Sequence, residues 1–167
     1  MKRRILALVV ALALVALVVP AAVFAADTGT VTCTVTATLV SVTVTDGNIA
    51  YGALALGANI TTIALTDTQT ATNSGTVAEN FTIKSSNATR IGGTNWTLAG
   101  TIGSNQYKHE FSINSGSSWT AMTTSYQTLK TNVAASGNQT FDLQITMPSS
   151  TTDYLEHTIT VTVMASL

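Results

Sequence analysis

Two histidines, His109 and His157, are each flanked by a carboxylate, Glu110 and Glu156. A His–carboxylate pair is the raw material of a metal site or of general acid–base chemistry. In an extended strand, however, neighbouring side chains point to opposite faces, so each glutamate turns away from its own histidine. Zinc needs three or four converging ligands, and no HExxH is present. Structural histidines near strand ends are the expectation. No GxSxG elbow, P-loop or paired-carboxylate motif occurs. The chain reads as a non-enzyme, with no catalytic residues, no metal and no cofactor. Asp46, Asp67, Asp142 and Asp153 are isolated in sequence, so a calcium site would have to be assembled by the fold.

The aromatic residues offer a second chemistry, stacking on sugar rings. Trp96 and Tyr107 fall at strand period and are expected in the core, whereas Trp119, beside a turn, is the candidate ligand-facing ring. Five Asn-x-Ser/Thr sequons, at Asn59, Asn80, Asn87, Asn95 and Asn138, are what so much Ser and Thr produces by composition. Cys33 is the only cysteine, which excludes an intrachain disulfide. The reading for it is a small apolar residue on the inward face of the first strand, the other being a cross-link between subunits.

The elements that position these residues begin after a leader. Residues 1–25 combine basic Lys2, Arg3 and Arg4, an apolar run from Ile5 to Val19, and small residues before a cut after Ala25. This is the layout of a cleavable signal peptide, and the run is too short for the roughly 20 residues of a spanning helix. No stable membrane insertion is expected once it is removed. The mature part, residues 26–167, is one domain's worth of chain. It keeps four Lys and Arg against eight Asp and Glu, so nucleic acid is not an expected partner.

Thr occurs 32 times in the mature part. A β-branched hydroxyl residue suits the solvent face of a strand, and apolar residues alternate with it in most segments. Val31, Cys33, Val35, Ala37 and Leu39 alternate with Thr; the parity then flips to Val40, Val42 and Val44, which predicts a bulge or a change of sheet. Thr68–Ser85 is expected to be a hairpin turning at Asn73-Ser74-Gly75, and Asn114-Ser115-Gly116 a second such turn after Tyr107, His109, Phe111 and Ile113. Tyr126 to Val133 fits a single helical turn or an irregular loop. Phe141 to Met147 forms a strand stopped by Pro148, and Leu155 to Val163 the last strand. Eight or nine short strands with regular turn signals predict an all-β antiparallel sandwich, immunoglobulin-like or jelly-roll.

At Asn73-Ser74-Gly75-Thr76-Val77-Ala78-Glu79-Asn80-Phe81-Thr82-Ile83 the chain resembles the N-x-G element followed by an alternating strand of many prokaryotic surface sandwiches. With its leader, its Thr-Val opening segment and Ile159 to Val163, it is similar to the small exported proteins around the WxL and camelysin/TasA-like families. Trp96-Thr97-Leu98 has the WxL spacing but lacks a second motif near the C-terminus, and no metal-protease motif is present. The resemblance implies a cell-surface or extracellular-matrix role, with one chain's N-terminal strand completing the next chain's sheet. The residues agree at one point: Thr28 to Thr38 is uncharged, free of proline and alternating, which suits strand addition through Val31, Cys33, Val35 and Ala37. Two functions are therefore expected in order: a secreted, self-associating structural protein, and a module that binds glycan or cell-envelope polysaccharide through Trp119.

Overall fold

The structure, a computed structural model, describes residues 28–167; the expected leader, residues 1–25, lies outside the described residues. Residues up to Thr36 and residues from Ala37 onward group as separate units. In the first, residues 28–36 are exposed and form no strand. Val31 and Val35 are 87% and 97% exposed, and Cys33 is a free, exposed thiol. The strand expected from Val31 to Leu39, with Cys33 facing inward, is thus not formed. Alternation supplies two faces, but a strand also needs a neighbour for its backbone donors and acceptors.

The second unit is all-β. Its elements are β1 (Val42–Thr45), β2 (Asn59–Thr61), a one-turn helix α1 (Thr62–Leu65), β3 (Gln69–Asn73), β4 (Glu79–Lys84), β5 (Thr97–Leu98), β6 (Gln106–Ser112), β7 (Thr120–Ala121), β8 (Gln127–Val133), β9 (Asn138–Thr146) and β10 (Thr162–Ser166). One sheet runs β1-β3-β9-β6-β5, with β2 on β9 and β7 on β6; the other runs β10-β4-β8. All strand pairs are antiparallel except the two-residue β5–β6 pair.

Period-2 patterning builds the core between the sheets. In β4, Phe81 and Ile83 are fully buried, and in β9, Phe141, Leu143 and Ile145 are 4% exposed or less. They meet Ala71 of β3, Phe111 of β6, and Leu129 and Val133 of β8, in one apolar cluster. A second cluster gathers Ala88, Trp96, Tyr107 and Ile145. Trp96 and Tyr107 are core residues, as their spacing predicts.

Three segments differ from the sequence-based expectation. The Thr68–Ser85 hairpin does not form, because β3 and β4 belong to different sheets and the Asn73-Ser74-Gly75 link carries the chain across the sandwich. None of those three residues has a positive φ. Instead the buried Asn73 amide donates to the carbonyls of Val77 and Val133, both at 2.8 Å, and its oxygen accepts from the Gly75 N–H. Asn114-Ser115-Gly116 is the true hairpin turn, with Ser115 and Gly116 at φ 53° and 79° and β6 paired to β7. Tyr126 to Val133 is neither helix nor loop: it yields strand β8, whose register shifts against β4 disguise its period. The last strand covers only Thr162–Ser166, since residues 155–160 are spent on the loop contacts described below.

Candidate functional site

His109 stands on β6 with its ring inside the sandwich, 1% exposed. The Tyr51 hydroxyl lies 2.9 Å from its Nε2 and the Ser85 hydroxyl 2.9 Å from its Nδ1. Hydroxyls donate or accept as required, so a neutral ring, with one N–H and one lone pair, is fully satisfied by the two. Burial pushes the imidazole down to about 3. Tyr51 is raised well above the ordinary phenol value, first by burial and then by Tyr107 and Asp67. Tyr107 is raised by burial to about 12, and its hydroxyl donates to the Ser86 carbonyl. Ser85 is 2% exposed, so the Ser–His pair is closed to any substrate. Glu110 faces the other way and pairs with Lys108 at 2.9 Å, as strand period requires.

His157 belongs to a different arrangement. Its ring stacks on Trp96 with centroids 3.8 Å apart and planes at 20°, and its nitrogens lie 2.8 Å from the carbonyls of Leu155 and Thr94. The Trp96 indole N–H donates to Thr151 at 3.0 Å. Nearby, Asp153 accepts from Arg90 and from the Thr94 and Leu155 N–H groups. These bonds, the Arg90 hydrogen bond foremost, hold its carboxyl below the ordinary value. Together the contacts clasp the 88–96 and 151–158 loops. The two His–Glu pairs are not brought into one site.

The other acids remain separate as well. Asp67 accepts from Gln69 at 2.7 Å, and Asp142, 3% exposed, accepts from the Thr62 and Thr68 hydroxyls at 3.2 and 2.6 Å. Among the described residues, no three His, Cys, Asp or Glu side chains gather as a metal cluster. Trp119 is half-buried. A β carbon placed on Gly116 would meet its ring at 3.3 Å, so the indole packs under its own hairpin turn. Among the described residues it stacks with no second ring.

Edges offer the remaining chemistry. β10 ends the smaller sheet and is paired in unbroken register to β4 from Thr162↔Lys84 to Ser166↔Asn80. Its residues, TVMAS, carry no charge and no proline. The opposite edge, β8, is guarded by an exposed Lys130, by Asn132 at φ 55° and by its register shifts. One edge is thus blunted and the other is not.

The chain matches no family model, no curated protein and no solved structure. Sequence reasoning missed Glu79, which is 1% exposed yet sits in the very motif it singled out. Glu79 Oε1 accepts from the Ser41 N–H at 2.9 Å, while its Oε2 is buried without a hydrogen-bond partner. The one available signal was an acid at an even-spaced, inward position of β4, in line with Phe81 and Ile83. Among the described residues, no helix is long and apolar enough to cross a membrane.

Proposed function

We propose that this chain is an exported, non-catalytic structural protein of the cell surface or extracellular matrix, whose copies join by β-strand addition. Residues 28–38 of one copy pair along the free edge of β10 in another. The observation that carries this reading is the segment itself, which is uncharged, alternating, solvent-exposed and not used as a strand. Its backbone groups are available for a partner, and β10 presents an uncharged edge without the devices that usually prevent pairing. The leader and the resemblance to WxL and camelysin/TasA-like proteins point the same way. Because donor segment and acceptor edge are different surfaces, the contact is head-to-tail, and repetition gives a filament unless the ring closes. Among the described residues, Ser85 and His109 are buried together, and Asp67 and Asp142 bond to different partners.

The test compares residues 26–167 with a form lacking residues 26–38, by size-exclusion chromatography, electron microscopy and circular dichroism. Filaments or large oligomers that disappear on truncation, with the domain still folded, are expected. A monomer in both forms, or a truncated chain that unfolds, overturns the reading and directs attention to glycan-binding screens.

A further inference from the structure

The strand pairings place two sets of exposed apolar side chains at opposite ends of the sandwich. β10 runs from Thr162, opposite Lys84, to Ser166, opposite Asn80. Its C-terminal end therefore lies beside the 73–79 link. There the Leu39 N–H donates to the Thr76 hydroxyl at 2.9 Å, and the Leu39 carbonyl accepts from the Thr76 N–H at 3.0 Å. Leu39, and with it the point where residues 28–38 join the domain, is fixed at this end, which exposes Leu39, Val40 and Leu167. The opposite end, beyond Thr162 and Lys84, carries the 88–96 and 151–158 loops, joined by the Thr89↔Thr158 bridge and the Arg90–Asp153 ion pair. These loops expose Ile91, Tyr154 and Leu155.

We infer that the two ends cover each other: the Leu39 end of one copy seats on the Ile91 and Leu155 end of the next. This rests on the strand addition proposed above and follows from the polarity and length of the donor. Antiparallel pairing, the more stable per residue, sets Ala37 opposite Val161, Val35 opposite Val163 and Cys33 opposite Ala165. The donor's apolar face then joins Val161, Val163 and Ala165, which pack against the main core cluster. In this direction the donor's last residue stands at the Val161 end of the acceptor, which is the end bearing Ile91, Tyr154 and Leu155. Only Thr38 separates Ala37 from the anchored Leu39, so the tether between copies spans about 7 Å at most. The copies are thereby pressed end to end, and each junction buries two apolar surfaces that a lone copy leaves in water. A parallel donor would enter from the Ser166 end, bring two like ends together and leave Ile91, Tyr154 and Leu155 exposed.

The test uses the chain from residue 26 with Cys33→Ala, into which single cysteines are placed and mixed in pairs under mild oxidation. Thr36→Cys with Thr162→Cys, and Thr32→Cys with Ser166→Cys, are expected to cross-link into dimers on a non-reducing gel. Thr36→Cys with Ser166→Cys, and Thr32→Cys with Thr162→Cys, are not, because four residues along a strand put them about 13 Å apart, beyond the roughly 7 Å that a disulfide bridges. In the second arm, Ile91→Lys combined with Leu155→Lys places charges in the junction and is expected to raise the concentration needed for assembly about tenfold or more. The monomer's circular dichroism and melting temperature stay unchanged. Cross-links in the opposite combinations, or assembly of the lysine variant at the wild-type concentration, overturn the end-to-end contact while filaments in the wild type leave strand addition standing. A wild type that stays monomeric overturns both. Should the lysine variant unfold, the cross-linking pattern decides.

Discussion

His109 makes the stability of the sandwich depend on pH between the ordinary imidazole value and its buried one. In the unfolded chain its imidazole takes up a proton near pH 6.5, whereas in the folded chain burial holds it neutral down to about 3. Between those values the unfolded state binds one more proton than the native state, so stability rises with pH. The contribution is fully present above pH 6.5 and is withdrawn as the pH falls towards 3. At pH 5 the loss is about 2 kcal/mol, and over the whole window it approaches 5 kcal/mol. The perturbation is His109→Gln, which keeps an amide to face the Tyr51 hydroxyl and removes the titration. The assay is urea denaturation at pH 7, 6 and 5, followed by tryptophan fluorescence. The variant is expected to be weaker than the wild type at pH 7, because Ser85 loses its partner, but to lose about 2 kcal/mol less between pH 7 and 5. The only other histidine, His157, is present in both proteins and cancels in the difference. Equal slopes for the two proteins would refute the buried, neutral His109.

Three further outcomes follow from the same packing. Phe81→Ala empties a fully buried position between the sheets and is expected to cost about 3–5 kcal/mol in chemical denaturation. Asp142→Ala strands the Thr62 and Thr68 hydroxyls that now donate to it and is expected to cost about 1–3 kcal/mol, with α1 losing protection in hydrogen exchange. Arg90→Met removes the main hydrogen bond that holds Asp153 low; the Asp153 titration, read by NMR, is expected to move up towards the ordinary carboxylate range.

Strand patterning made the fold class readable, because side chains that alternate every residue report their face whatever the strands pair with. Phe141, Leu143 and Ile145 are buried as their spacing requires, and Tyr107, His109 and Phe111 likewise. Pairing was not readable in the same way. Asn73-Ser74-Gly75 looks like a hairpin turn, yet the Asn73 amide reaches Val133, 60 residues away, to make it a crossing between sheets. Such a choice depends on long-range partners that local spacing does not contain. β8 was missed because a shifted register breaks its period, and the last strand was overextended because His157 and Thr158 are claimed by the Thr89–Trp96 loop. The buried Glu79 was equally hidden, since the Ser41 N–H it accepts comes from 38 residues earlier in the chain.

The first and last strands of the sandwich, β1 and β10, lie in different sheets. Tension applied to the two ends of the folded unit therefore has no path along a single ladder. The load enters through the four residue pairs of β1 with β3, leaves through the five of β10 with β4, and crosses between them through the packed interior, its few hydrogen bonds such as Asn73 to Val133, and the link from β3 to β4. The apolar interior is then a mechanical joint in series with two hydrogen-bonded clamps, and the resistance of the unit to stretching is set by whichever of the three yields first.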